Sequence, residues 1–202
     1  MEKVAIIAAG MKNIVILISG TGSNMAAIVR TAVQQDWAAR LDARVAAVLS
    51  NRADAKGLAF AQEHGIATGV LDHKAFDSRE AFDAALMQRI DAYQPALIVL
   101  AGFMRILTSG FVAHYTGRLL NIHPSLLPAF TGLHTHQRAI DAGCKFAGCT
   151  VHQVTAELDV GPIVDQAIVP IVAGDSADTL AARMLTQEHL IYPRAIAQFF
   201  SY

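Results

Sequence analysis

The sequence predicts an α/β protein: a doubly wound, mostly parallel sheet with an antiparallel strand pair and a closing helix at its C-terminal end. Three observations carry this. Apolar runs of strand length alternate with helix-length amphipathic stretches up to residue 123, the pattern of repeated βαβ units. The first of these runs, residues 13–19, is apolar almost throughout, as in a strand covered on both faces. After residue 145 the rhythm changes to two adjacent strand-like runs and one long amphipathic stretch.

The elements follow in order. "NIVILIS" (13–19), nearly all β-branched or Leu, is the first strand. "SNMAAIVRTAVQQ" (23–35) spaces Met25, Ile28, Val29 and Val33 as one helix face. "RVAAVLS" (44–50) is the second strand, and "AKGLAFAQEHG" (55–65) a helix stopped by Gly65. "ATGVL" (67–71) is a short third strand. "DSREAFDAALMQRIDAY" (77–93) is the clearest helix: Asp77 with Glu80 reads as a capping box, and Phe82, Leu86 and Ile90 form a stripe. Pro95 ends it, "ALIVLAG" (96–102) is the fourth strand and "GRLLNIH" (117–123) the fifth. "GCTVHQVTAELD" (148–159) and "PIVDQAIVPIV" (162–172) read as antiparallel strands joined by a turn. "SADTLAARMLTQEHLIYPRAIAQFF" (176–200) is the closing helix, with a kink expected before Pro193. With no repeat, low-complexity tract or linker, residues 1–202 are expected to form one domain. Residues 1–11 read as an N-terminal extension in which Met11 is an alternative start.

Composition narrows the function. The chain has 202 residues, 53% hydrophobic and 16% charged, with a net charge of -1. That is a core-rich globular chain with no electrostatic case for nucleic acid or an anionic membrane as partner. No apolar run reaches membrane-spanning length. Two cysteines, Cys144 and Cys149, are too few for a disulfide framework and are expected to be reduced thiols of a cytoplasmic protein.

Three motifs carry chemistry. "LISGTGSN" (17–24) is a Gly-rich turn between a strand and a helix, where free backbone N–H groups and the positive helix end favour an anion. It is no dinucleotide fingerprint, because Met25 holds the third glycine position, and no Gly-Lys-Ser/Thr follows. A phosphate monoester cradled by Gly22, Ser23 and Asn24 remains, beside the alternative of a tight turn with an Asn or Ser N-cap. "LLNIHPSLLP" (119–128) aims Asn121 and His123 to one side of an extended chain, then stops on Pro124. Ligands of open α/β sheets lie beyond the carboxyl ends of the strands. A satisfied core histidine is the plain alternative. "TAELDVGP" (155–162) places Asp159 on a turn, open to exposure, where it could simply bond its own backbone. "GLHTH" (132–136) raises a metal through His134 and His136, with His123 and Asp159, but two histidines on a loop are a loose signal. No metal is expected.

These motifs together resemble the glycinamide ribonucleotide transformylase family, the phosphoribosylglycinamide formyltransferases of purine synthesis. The resemblance runs from Met11 to about Tyr192 through "ILISGTGSN", "AFDSREAFD", "VLAGFMRIL", "LLNIHPSLLP", "GLHTH", "ELDVGP" and "TQEHLIYP", in family order. It implies that Gly22, Ser23 and Asn24 hold the ribonucleotide phosphate and Glu188 the ribose hydroxyls. It implies that Met104, Arg105, Ile106, Leu107, Asn121 and the loop Thr155, Ala156, Glu157, Leu158, Asp159 clasp the folate of the co-substrate 10-formyltetrahydrofolate, with Arg79 near its tail. Asn121, His123 and Asp159 match the family's catalytic trio. The sequence departs from the family at Thr21, often Asn, at Val160, often Gly, and in "LPAFTG". It also stops early, at "FFSY", which is expected to cost a peripheral element.

The chemistry is consistent with those residue types. Formyl transfer to an amine passes through a tetrahedral oxyanion, which aimed donors stabilise. An amide and an imidazole on a strand end are such donors, and a nearby carboxylate supports the imidazolium and proton transfer, through water. A monomer or homodimer acting on small molecules is expected. Three rivals stand beside it. A formyltetrahydrofolate hydrolase would carry a further N-terminal domain, a methionyl-tRNA formyltransferase a further C-terminal domain and a basic surface. A non-enzymatic nucleotide-binding module would have no use for the trio.

Overall fold

The computed structural model describes residues 10–201. The expected N-terminal extension lies outside the described residues, save Gly10 and Met11. Seven strands form one sheet in the order β3-β2-β1-β4-β5-β6-β7. They are β1 (Lys12–Ile18), β2 (Ala43–Ser50), β3 (Ala67–Val70), β4 (Pro95–Leu100), β5 (Leu119–His123), β6 (Phe146–Gln153) and β7 (Ile163–Pro170). The first five pair in parallel. β5–β6 and β6–β7 pair antiparallel, so the antiparallel C-terminal part expected from the change of rhythm is present.

Alternation along β1 shows why its last five residues are all apolar. Ile14, Ile16 and Ile18 enter a core with α1 (Ser23–Gln34), α3 (Gly57–Glu63) and α7 (Ala177–Phe200). Val15 and Leu17 enter a second core with α4 (Arg79–Asp91) and α5 (Ser109–His114). All five are fully buried, each stabilising the fold by about 1.5–3 kcal/mol relative to exposure. The stripe Phe82, Leu86 and Ile90 packs into the second core as expected.

Several expectations are corrected. Ser78, not Asp77, caps α4, its hydroxyl accepting from Ala81 N at 3.1 Å. Pro95 opens β4, where its missing N–H costs nothing. The strand expected over 148–159 ends at Gln153, leaving 154–162 as a loop. α7 runs through Pro193 as one helix, and Ser176, expected inside it, is its N-cap in a capping box with Thr179. Three short helices were not expected: α2 (Trp37–Leu41), α5 and α6 (Thr135–Asp141). Each has five to seven residues, too few turns for periodicity to show. His134 and His136 therefore do not sit on a loop: His134 is the N-cap of α6 and His136 lies in its first turn.

Candidate active site

Two polar centres lie at the carboxyl ends of the strands. The first is a cavity of about 500 Å³ above β1, β2 and β4, walled by Gly20 to Asn24, by Asn51, Arg52 and His73, and by Met104 and Arg105. Gly22 is the N-cap of α1 at φ 70, a left-handed conformation suited to glycine. A Cβ there would stand 3.0 Å from the Gly57 backbone. No side chain caps the helix, so the Ser and Asn N-cap alternative does not hold. The first N–H groups of α1 therefore have no side-chain cap. Asn24 instead donates from Nδ2 to Glu188 Oε2 at 2.7 Å, while its own Oδ1 is buried without a partner. Burial pushes the Glu188 carboxyl above its ordinary range, against the opposing pull of the Asn24 bond.

The second centre is a cluster of side chains. Asn121 and His123 stand two apart on β5. Asp159 arrives from the loop after β6 at φ 58. It is buried, against the expectation of an exposed turn residue. Its Oδ2 accepts from Gly132 N at 2.9 Å, 27 residues away, and lies 3.5 Å from His123 Nδ1. The carboxylate is thus spent on tertiary contacts and not on its own turn. His123 Nε2 donates to the Phe130 carbonyl at 3.0 Å.

His152 on β6 was not foreseen. It is 2% exposed and pairs in register with Asn121. Its Nδ1 lies 3.0 Å from the Gln153 carbonyl and its Nε2 3.2 Å from Asn121 Nδ2. With Nδ1–H given to that carbonyl, Nε2 is a lone pair that accepts from the amide. Burial lowers the His152 imidazole below its ordinary range, so this neutral form is the favoured one. One N–H of Asn121 is then held by His152, and the other is free. The signal available was the period-two run of β6, which turns His152 and Thr150 to the same side.

Two buried anchors hold these strand ends. Tyr192 Oη, one turn from Glu188 on α7, lies 3.0 Å from the Leu100 carbonyl and 3.1 Å from that of Leu120. Thr150 Oγ1 donates to Ser125 O at 2.7 Å and accepts from Leu127 N at 3.0 Å, fastening the Pro-bounded turn. At Val160, a departure from the family pattern, the backbone makes no demand for glycine. Val160 is 51% exposed, and the glycine the loop requires is Gly161, where a Cβ would run into the Gln153 carbonyl.

The other expected residues lie on two loops, 104–107 and 155–159, and at the start of α4. Met104 and Ile106 are 71% and 65% exposed, Leu107 packs on the second core, and Leu158 is 57% exposed. Thr155, Ala156 and Glu157 are exposed on the loop, with Thr155 Oγ1 donating to Glu157 O at 3.0 Å. Arg79 is exposed at the start of α4, with no side-chain partner among the described residues. No group of three or more His, Cys, Asp or Glu among the described residues is arranged to hold a metal ion. Cys149 is fully buried, and its thiol is pushed up to about 12, by burial first and then by Glu188.

An amide, an imidazole and a buried carboxylate meet at one strand end, beside a Gly-rich turn that opens a helix, all at the carboxyl edge of an α/β sheet. The family model for formyl transferases matches residues 12–196, and the chain belongs to that family. It is 55% identical over 187 residues to the phosphoribosylglycinamide formyltransferase of Escherichia coli K12, covering 93% of this chain and 86% of that one. The crystal structure of phosphoribosylglycinamide formyltransferase from Brucella melitensis superposes with a TM-score of 0.87 at 53% identity, covering 95% and 96% of the two chains. That of glycinamide ribonucleotide transformylase 1 from Symbiobacterium toebii gives 0.90 at 47%, covering 96% and 89%.

Proposed function

We propose that this formyltransferase moves the formyl group of 10-formyltetrahydrofolate to the amine of glycinamide ribonucleotide. The products are formylglycinamide ribonucleotide and tetrahydrofolate, in purine biosynthesis. The observation that carries the reading is the buried Asp159 carboxylate 3.5 Å from His123, on the strand that also presents Asn121. Attack of the amine on the formyl carbon creates an oxyanion. The free N–H of Asn121 and the Nε2–H of His123, here given to Phe130, are the donors for it. Asp159 stabilises the imidazolium formed as the proton passes from attacking amine to leaving nitrogen.

Gly22, Ser23 and Asn24 bind the phosphate through backbone N–H groups, and Glu188 the ribose. The apolar side chains of Met104, Ile106 and Leu158, open to solvent on two loops, suit an aromatic co-substrate. Arg105 and Leu107, with the loop Thr155 to Asp159, complete the folate contacts, and Arg79 serves the folate tail. The chain works as one domain, as monomer or homodimer, in the cytoplasm. No helix among the described residues is long and apolar enough to cross a membrane. The mechanism uses no metal, so dialysis against a chelator leaves turnover intact.

The test is turnover of 10-formyltetrahydrofolate with and without glycinamide ribonucleotide. Turnover that requires the nucleotide supports transfer. Equal turnover without it makes the chain a hydrolase.

A further inference from the structure

We infer that His73 is a further binding residue of the nucleotide pocket, supplying a charged N–H to the anionic phosphate. The inference rests on the reading of the Gly22–Asn24 turn as the phosphate cradle. His73 opens the 3-10 turn His73–Ala75 after β3, and its ring lines the same cavity as the Gly-rich turn.

The ring is positioned from two sides. Nδ1 lies 3.1 Å from the Asn51 carbonyl and 3.2 Å from Asn51 Nδ2. Asn51 is 3% exposed, and its Oδ1 accepts from Ser19 Oγ at 2.6 Å. Ser19 Oγ in turn accepts from Met104 N at 2.8 Å. On the other side the ring meets Phe82 of α4 edge to face, with centroids 6.3 Å apart. A buried chain thus holds Nδ1, whether it donates to the carbonyl or accepts from the amide. Nε2 has no hydrogen-bond partner among the described residues.

Charge around the ring favours an anion. Among the described residues no carboxylate lines the cavity, while Arg52 and Arg105 do. Arg52 is tied to Asp54 by bonds of 2.9 and 2.7 Å, so its charge is largely spent there. On its own turn, His73 has Lys74 next to it and Asp72 Oδ1 3.7 Å from Nδ1. Its contact with α4 is the apolar Phe82. A protonated ring donates Nδ1–H to the Asn51 carbonyl beside Asp72 and keeps Nε2–H for the ligand. A doubly charged phosphate placed at Nε2 favours the ring form that carries both protons. Nucleotide binding therefore draws protons from solution.

The experiment compares wild type, His73→Gln and Ser23→Asp in steady-state kinetics and in calorimetric titration with glycinamide ribonucleotide at pH 7. Two buffers of different ionisation heat give the proton uptake. His73→Gln is expected to raise the nucleotide KM by roughly 10-fold, the size of a lost charge-assisted hydrogen bond. It should change kcat by less than about twofold and take up fewer protons than wild type. Inorganic phosphate added to wild-type protein should shift the His73 ring resonances. That measurement decides the matter if His73→Gln fails to fold. An unchanged nucleotide KM with equal proton uptake, or ring resonances indifferent to phosphate, overturns the inference. If Ser23→Asp is weakened and His73→Gln is not, only the role of His73 falls. If Ser23→Asp binds nucleotide as wild type does, the phosphate cradle itself is misread, and His73 falls with it.

Discussion

The two polar centres are built on opposite principles. The cavity above β1, β2 and β4 is made largely by backbone: a Gly-led turn of five contiguous residues ends a strand and starts a helix with no side chain over its N-terminus. The cluster above β5 and β6 is made by side chains. Asn121, His123, His152 and Asp159 come from two antiparallel strands and a loop, and the last three are buried. A backbone site is expected to tolerate side-chain drift, as at Thr21, but not charge brought to its N–H groups. A side-chain site is expected to tolerate drift in the loop beside it, as at Val160, but not loss of its own charge.

The largest test of that contrast is Asp159→Asn. The shape is kept and the charge removed, and turnover should fall roughly 10²- to 10⁴-fold, the range for a positioned acid–base group. Nucleotide affinity should hold, because those contacts lie at the other centre. Near-normal kcat would make Asp159 a loop anchor only.

Ser23→Asp is next. Its carboxylate sits where the phosphate must approach, so nucleotide affinity should drop by about 10- to 100-fold, the worth of one to two charge-assisted hydrogen bonds. Folate affinity should not move. Ligand titrations with each substrate read the two separately, and parallel losses would mean that the turn is only a structural cap.

Glu188→Gln probes the link between the centres through stability. Burial raises the Glu188 carboxyl in the fold, so its favourable contribution is complete below its ordinary value, 4.5, and is lost as pH rises through the raised one. At pH 7 the variant should melt above wild type, each kcal/mol relieved moving Tm by roughly 2–4 °C in a chain of this size. The difference should close toward pH 4. A variant less stable at pH 7 would show that the Asn24 bond outweighs burial.

The smallest effect is expected at Val160→Gly, which restores the residue common in the family. Kinetics should stay within about twofold, with stability lower by roughly 0.5–1 kcal/mol from added chain entropy. A large change in kcat would show that Val160 shapes the Asp159 loop.

What could be read in advance divides along the same line. The strands of the parallel sheet were legible because burial on both faces leaves apolar runs, and α4 because its stripe repeats over three turns. The Gly-rich turn was legible because its parts are neighbours in sequence. Asp77 was mistaken for the cap of α4 because both it and Ser78 are good caps, and only the backbone at Ser78, φ -147 and ψ 163, selects one. The helices α2, α5 and α6 fell below the length at which a period shows.

By itself, then, the sequence determined the layered α/β order, the Gly-rich strand-to-helix turn and the polar strand end at Asn121 and His123. All of these rest on interactions within a few residues, where spacing maps directly onto geometry. Only the tertiary structure decided that Asp159 is buried against Gly132 and His123, and that His152 orients the Asn121 amide. It also decided that Asn51 and Ser19 hold His73 at the cavity beside the Gly-rich turn. Each of those depends on strand register or loop closure between residues tens of positions apart. A one-residue slip would turn the same side chains to the other face of the sheet.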